Sequence, residues 1–406
     1  MSKIIDSFIK LKSYCEEEGY KGWDPYDGLN SKIFQKLPFL KKSALCRLIV
    51  IQGFKRSPIN FRKLAIVPKE YNPKGIALFL NGYCNLWHAV KQNPKLCEKL
   101  GSSQDLLERI NALAKLLISL KSNGEYHGAC WGYNFDWQAR RIFLFPAWTP
   151  TVVATNFGST ALMEAYEITK NKDYLDIALT SSQFILKDLH RSPYKDGFLF
   201  SYSPLPGNDT VFNASLLGSR TLAFCYHYTT NKEYLNAAKS SITACCDGQQ
   251  ADGGWIYGML PVQNWIDSFH TGYNLDALAD YERMTEDTSF HKYLEKGLEY
   301  YINNFFEEDG RPKYYNNKVY PIDIHCPGQL LVTLSKTGEY QKHHNLATKV
   351  LNWTIKNMQN PKGYFYYQLK KGVSSKISYM RWSNAFMFNA LSFAILEESK
   401  LNSHTS

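Results

Sequence analysis

From about residue 151 onward, two kinds of apolar segment alternate along the chain. The stretches 151–169, 210–229, 268–284, 322–336 and 381–397 are apolar or small-sided on most faces, the pattern of a helix buried all round. Between them lie segments with apolar residues on one face only. Tyr174-Leu175 is followed by Ala178, Phe184 and Ile185; Tyr234-Leu235 by Ala237, Ala238 and Ile242; Tyr293-Leu294 by Leu298, Tyr301 and Ile302; Tyr340 by Leu346, Ala347, Val350 and Leu351. This spacing predicts half-exposed helices. Each is followed by a loop pairing glycine with aromatics: Asp196-Gly197-Phe198, Asp252-Gly253-Gly254-Trp255, Asp309-Gly310 with Tyr314-Tyr315, and Lys362-Gly363-Tyr364-Phe365. The aligned glycines are 56, 57 and 53 residues apart, and His127-Gly128 with Trp131-Gly132-Tyr133 is a weaker fifth member. A further pair of helices is predicted at 73–91 and 102–121, and helices near 1–18 and 31–47 are expected to close the array. One hairpin of this size cannot bury its own apolar face, so neighbours must stack. Inner helices that are apolar on most faces need partners on both sides, which favours a closed ring over an open solenoid. The predicted architecture is an all-α (α/α)6 toroid over residues 1–406, a six-hairpin ring with short β-hairpins in its loops. No Pro/Gly/Ser-rich linker divides it.

Composition adds one feature. The chain carries 28 Tyr, 23 Phe and 9 Trp. Tyr and Trp offer a flat apolar face with a polar edge, which suits a core and also a cleft that stacks on sugar rings. The formal net charge is +10. This permits a polyanionic partner, but the lysines are scattered and no nucleic-acid motif occurs, so a solvated basic surface is the expectation and nucleic acid is not an expected partner. The nine cysteines show no CxxC spacing and the N-terminus carries charges throughout, so free thiols in a reducing, cytoplasmic setting are expected. No stretch approaches the roughly 18 continuous apolar residues of a membrane span, and no membrane insertion is expected.

In such a ring the long loops deliver the inner-helix N-termini to one cleft, and there the polar residues gather. The loop before 151 holds Trp131, Tyr133, Asp136, Trp137, Arg140, Arg141 and Trp148. The next holds Asn208-Asp209 with Asn213. Then come Trp265-Ile266-Asp267 with His270, Tyr273 and Asp276; Tyr320-Pro321-Ile322-Asp323-Ile324-His325; and Tyr379-Met380-Arg381-Trp382. Singly, each has a plain structural reading. Asp209, Asp267 and Asp323 suit helix N-caps, Asp196, Asp252 and Asp309 suit turns before glycine, and the Trp residues suit a core. Their grouping suggests more. Asp267, His270 and Tyr273 recur at three-residue spacing on one face of a helix start, and Asp323 with His325 repeats the acid-plus-His pairing one unit later. Two chemistries fit. Glycoside hydrolysis needs two carboxylates, which Asp267 and Asp323, or Asp136 with either, would supply. Elimination or C5-epimerisation at a uronic acid needs a Tyr or His base and a cation, available from Tyr273, His270, Tyr379, Arg381, Arg140 and Arg141. Trp255, Trp265 and Trp382 would stack on sugar rings. There is no P-loop, no GxGxxG before a helix and no HExxH. Asp323, His325 and Cys326 lack a second ligand cluster, so no metal or cofactor is expected. The stretch QQADGGW (249–255) is similar to the repeat motif of terpenoid cyclases, but their acidic signatures are absent.

The segments WDPYDGLNS (23–31), NASLLGS (213–219), DGGWIYG (252–258), WIDSFHTGYNLDAL (265–278), YPIDIH (320–325) and YMRWSNAFMFNAL (379–391) resemble a bacterial family found with exopolysaccharide gene clusters, the VpsJ-like polysaccharide-biosynthesis proteins. The resemblance spans nearly the whole chain and implies a six-hairpin glycosidase-like toroid in or beside polysaccharide production. It implies no reaction and no catalytic residues. It does draw attention to Asp24 and Asp27, which flank Pro25 beside Trp23 and Tyr26 and read as either a plain turn or a cleft-lining loop. The expected partner is an oligo- or polysaccharide, neutral or anionic, with association with polysaccharide-biosynthesis machinery implied by the family. Hydrolase is the first expectation, with Asp267 and Asp323 as acid and base. Uronate lyase or epimerase is the second, and a non-catalytic glycan-binding scaffold the third.

Overall fold

A computed structural model describes residues 2–139 and 143–403. Twelve helices build a ring and are numbered α1–α12 here. They are α1 (Ser2–Glu17), α2 (Pro73–Gln92), α3 (Ser103–Ser119), α4 (Val152–Thr169), α5 (Lys172–Gln183), α6 (Phe212–Thr229), α7 (Lys232–Asp247), α8 (Ser268–Thr285), α9 (His291–Phe305), α10 (His325–Lys336), α11 (His344–Met358) and α12 (Phe386–Ser403). Even-numbered helices stand inside and odd-numbered helices outside. Each inner helix packs on two inner neighbours, and α12 packs on α2, so the inner ring closes. The first outer helix, α1, covers the last inner one, α12, so the chain's two ends seal the toroid.

The alternation of apolar patterns explains these layers. In α4, Val152 through Asn156 and Gly158 through Met163 are all buried, as a helix with neighbours on both sides requires. In α9 the buried residues are Leu294, Gly297, Leu298, Tyr300, Tyr301 and Phe305, a single face. The inner-to-outer turns repeat too. Lys170, Thr230 and Glu286 each take a left-handed conformation (φ 54°, 55° and 60°) at the end of an inner helix, and Asn171 and Asn231 then cap the next outer one.

The repeated glycines are the contact points between hairpins. A Cβ on Gly128, Gly197, Gly253, Gly310 or Gly363 would meet the backbone of the next outer helix, at Thr180, Ser240, Lys296, Lys349 and Lys10 respectively. The weak fifth member is therefore a full member, and the series ends on α1, where it closes the ring. At Gly363 the approach is 2.1 Å to the Lys10 carbonyl oxygen and φ is +103°, so an L side chain is excluded on both counts. Gly363→Ala is expected to destabilise the fold by about 2–5 kcal/mol, combining backbone strain with overpacking, as read by urea unfolding.

Two corrections concern the periphery. The segment 31–47 does not join the ring. It forms the short helices Lys32–Gln35 and Pro38–Lys42 and the start of Ala44–Arg56, which pack on the Asp27–Asn30 turn and the Trp137–Ala139 strand. The reason is that most of its apolar residues do not line a buried face: Ile33, Phe39 and Leu45 are all exposed. Trp255, expected to stack on sugar, is 2% exposed and donates from Nε1 to the Cys245 carbonyl at 2.9 Å, wedged against Gly297. Trp131 does the same two hairpins earlier, donating to the Leu117 carbonyl at 2.8 Å. Both tie a loop to the end of an outer helix. Short β-pairs form in the loops: Trp137–Ala139 with Phe143–Phe145, Arg191–Tyr194 with Gly197–Phe200, and Ile322–Asp323, Tyr366–Leu369 and Ser375–Ser378 in one sheet. All nine cysteines are unpaired, and among the described residues no helix is long and apolar enough to cross a membrane.

Candidate functional site

The N-terminus of α8 carries the first part of the site. Asp267 is its N-cap, and the carboxylate Oδ1 accepts from the His270 backbone N–H at 3.0 Å. The same carboxylate does two further things. Its Oδ2 accepts from Trp265 Nε1 at 2.9 Å and pairs with His270 Nδ1 at 2.8 Å. Three-residue spacing makes this possible, because the first turn of a helix brings residue i+3 back over the cap. A carboxylate against Nδ1 fixes the imidazole with its proton on Nδ1, leaving Nε2 as the acceptor. Asp267 is buried, whereas 21% of the His270 side chain is exposed. Tyr257 stacks on Trp265 (4.7 Å between centroids, 9° between planes) and lies 4.6 Å from the His270 ring, so a half-buried aromatic pair stands beside the imidazole.

One hairpin later the pairing recurs in altered form. Asp323 is completely buried. Its Oδ1 accepts from Trp382 Nε1 at 2.9 Å and from the His325 N–H at 3.1 Å, and its Oδ2 accepts from Gln368 Nε2 at 3.1 Å. The His325 ring is too far from Asp323 for a hydrogen bond, with Nδ1 at 3.9 Å. It lies instead among Phe269 (4.9 Å), Trp382 (4.4 Å) and Phe386 (3.5 Å), and neither ring nitrogen has a hydrogen-bond partner among the described residues. Burial, helped by the nearby Lys74 and Arg381, pushes His325 well below the usual histidine range, so it is neutral. His270 and His325 both contact the Phe269 ring.

Burial pushes Asp323 up to about 6, against donors from Trp382 and His325 that pull it down. The folded protein thus holds this proton more tightly than the unfolded chain does. Its contribution to stability is fully present below about pH 4 and declines as pH rises through about 6. Asp323→Asn is expected to flatten that decline by roughly 3 kcal/mol, readable as unfolding free energy against pH.

The third part was missed by sequence reasoning. Lys74 sits in the first turn of α2, buried, with Nζ 4.3 Å from the Phe157 ring, 4.9 Å from Phe386 and 5.0 Å from Tyr273. Its hydrogen bond goes to the Tyr273 hydroxyl at 3.3 Å. Burial, with Arg381 nearby, pushes the amine well below the ordinary lysine range, while burial pushes the Tyr273 phenol well up. The helix dipole at an N-terminus also disfavours a cation there. The signal was available: a lysine directly after Pro73, opening an otherwise apolar inner helix, stands where neither dipole nor burial welcomes charge.

Around this floor runs an ionic frame. Arg381 makes a two-pronged bond to Asp24 (Nε to Oδ2 2.6 Å, Nη2 to Oδ1 2.9 Å), with its guanidinium over the Tyr133 ring. Arg62, fully buried, donates to Asp27 Oδ1 at 2.7 Å, to the Asp24 carbonyl at 2.7 Å and to the Tyr379 hydroxyl at 2.9 Å. Asp24, Asp27, Tyr379 and Arg381 were expected to bind substrate; the structure pairs Asp24 with Arg381 and commits Asp27 and Tyr379 to Arg62. Of the remaining expected residues, Asp136 accepts from the Ala147 N–H at 2.7 Å and Asp209 from Ser192 Oγ at 2.8 Å, each within its own loop region. Asn213 is buried in the first turn of α6 with Oδ1 unpartnered. Arg140 and Arg141 lie outside the described residues. Among the described residues no three His, Cys, Asp or Glu side chains are grouped to hold a metal.

No family model matches the chain and no curated relative does. Solved structures do. An α-mannanase of glycoside hydrolase family 76 from Bacteroides thetaiotaomicron matches with a TM-score of 0.60 at 13% identity, over 81% of this chain and 87% of its own. A cellobiose 2-epimerase from Bacillus thermoamylovorans matches with a TM-score of 0.60 at 12% identity, over 82% and 90%. A polysaccharide lyase matches with a TM-score of 0.58 at 11% identity, over 99% and 98%. At such identities the likeness speaks to architecture alone: the chain has an (α/α)6 toroid fold.

Proposed function

We propose that this chain is a carbohydrate-active enzyme that moves a proton at a sugar carbon, in epimerisation or elimination, with His270 as the transferring group. One observation carries the reading. Asp267 holds His270 Nδ1 at 2.8 Å, and the ring is partly exposed beside Tyr257, which leaves Nε2 as its accepting nitrogen. This is an oriented base in a place a sugar can reach. In the proposed step Nε2 takes the proton from a carbon next to a carbonyl or carboxylate, and the electron pair moves into that group. Tyr273, kept protonated by burial, is the neighbouring donor. Because Lys74 Nζ bonds the phenolic oxygen, the phenolic hydrogen is free to turn to a substrate oxygen. Reprotonation of the carbon from the other face by solvent water epimerises it, with His270 giving its proton back to solvent; loss of the oxygen substituent one carbon further on, protonated by the His270 imidazolium as it leaves, completes elimination. Trp265 and Tyr257 supply the stacking platform.

Hydrolysis by Asp267 and Asp323 is the second reading, and what favours it is that Asp323 is raised to about 6. Against it, both carboxylates are buried and each accepts three hydrogen bonds from the protein, so neither has an oxygen set aside for a glycosidic bond or a water. The finer assignment, a role in exopolysaccharide production, is supported by the VpsJ-like segments and rests on them alone. The test is mass spectrometry of neutral and uronate-containing oligosaccharides incubated with the protein in heavy water. Carbon-bound deuterium in recovered or cleaved sugar is the expected result. Cleavage that adds solvent and leaves every carbon undeuterated would replace this reading with hydrolysis.

A further inference from the structure

The positive charge of the chain is not spread over it. Formal net charge is +10, from 47 Lys and Arg against 37 Asp and Glu. Between Lys32 and Lys69 there are ten Lys or Arg and not one Asp or Glu. The rest of the chain therefore carries 37 of each sign and is formally neutral. The lysines are scattered along the sequence, as sequence reading had it, but the missing acids concentrate the excess in a single excursion between α1 and α2.

The same excursion shows apolar surface. Thirteen large apolar side chains are exposed among the described residues, and eight of them fall between Ile33 and Ile66. Leu64 is 76% exposed, Phe39 68% and Leu45 66%. In the helix Ala44–Arg56 the usual arrangement is inverted. Leu45 and Ile49, four apart and so on one face, point to solvent, while Ile51 is its buried residue. The segment's own core is small, with Leu29, Phe34 and Ile51 packed beside Tyr26 and Trp137. Exposed Lys36, Lys41, Lys42, Arg56 and Lys63 are interspersed with the apolar side chains.

We infer that the excursion 32–69 is a membrane-surface binding face, seated on the anionic phospholipid headgroups of a bilayer with Phe39, Leu45, Ile49 and Leu64 reaching the acyl boundary. Arg62 is buried on Asp27 and Lys69 pairs with Glu18, but the other eight cations form no ion pair among the described residues, and basic charge of that kind interleaved with exposed large apolar residues is what an interfacial anchor requires. A polyanion alone would leave the apolar residues without purpose, and an ordinary protein interface carries charges of both signs at its rim. This is attachment to the surface and involves no spanning helix. The excursion is pinned to the toroid by Arg62, which donates to Asp27 and to the Tyr379 hydroxyl, and Asn30 just before it donates to the Asn134 carbonyl, in the loop layer that delivers the inner helices. Membrane binding would thus set the cleft end of the ring beside the bilayer.

The test is co-sedimentation of the full chain with vesicles of phosphatidylcholine alone or with about one third phosphatidylglycerol. The expected result is at least about tenfold tighter binding to the anionic vesicles, weakened by salt. Two surface variants separate the contributions. Lys41→Glu with Lys42→Glu should remove about tenfold or more of the binding, and Leu45→Ser with Ile49→Ser should weaken it in both low and high salt. Both change exposed side chains, so their thermal unfolding should match the parent; a variant that melts early is replaced by Phe39→Ser with Leu64→Ser. Equal binding to the two vesicle types, or no binding to either, would overturn the inference. So would dimerisation in solution that the Leu45/Ile49 variant abolishes, which would assign the face to a second copy.

Discussion

Replacing His270 by Ala is expected to lower turnover by about 10²- to 10⁴-fold while leaving the fold intact, the range that an acid–base group contributes. The side chain is partly exposed and its Nδ1 pairs with Asp267 Oδ2, so its loss opens no large cavity. The companion change, Asp267→Asn, sharpens the point. Asn remains a good N-cap, so α8 should lose at most about 1 kcal/mol. Yet an amide presented to His270 Nδ1 as a donor would force the opposite tautomer, moving the proton to Nε2, where it blocks acceptance. Asp267→Asn should therefore approach His270→Ala in lost kcat, with KM changing little. If His270→Ala kept most of the activity while Asp267→Asn abolished it, the carboxylate would be the reacting group and hydrolysis would return to first place.

Removing Asp24 is expected to be the most destabilising change in the ionic frame. Arg381 is 4% exposed and takes both prongs of its ion pair from Asp24. Asp24→Ala would leave a buried guanidinium without its countercharge, a loss of about 3–5 kcal/mol in unfolding free energy. The double change Asp24→Leu with Arg381→Met removes both charges and should recover much of that loss. A small effect of Asp24→Ala, below about 1 kcal/mol, would show that Arg381 finds water or another partner, and with it a cation open to substrate.

What the sequence revealed and what it hid follow from the range of the interactions. The ring was legible because its determinants are local and repeated: apolar periodicity, and glycines 53 to 57 residues apart that each seat against the next outer helix. The Asp267–His270 pairing was legible for the same reason, since i and i+3 meet in any helix start. Asp24 and Arg381 are 357 residues apart, and Arg62 bridges Asp27 to Tyr379 over a similar span, so nothing in their spacing announced that they satisfy each other. The aromatic residues misled because a Trp that anchors a loop looks the same in sequence as one near the candidate site: Trp255 is wedged on Gly297, whereas Trp265 stacks on Tyr257 and donates to Asp267. The segment near 31–47 read as a ring helix because apolar residues at helical spacing do not say which side meets water. Lys74 was overlooked because one lysine in an apolar helix carries no pattern, only a position.

The measurement that bears most directly on the central claim is ¹⁵N NMR of the imidazoles in the free protein across a pH titration. The site described here predicts that neutral His270 carries its proton on Nδ1 with Nε2 bare, and that Asp267→Asn inverts this. It also predicts that His325 stays uncharged well below the pH at which an ordinary histidine protonates. A His270 that carries its proton on Nε2, together with a His325 that titrates as in a free peptide, would contradict an oriented base in a neutral aromatic floor and remove the basis for proton transfer at this site.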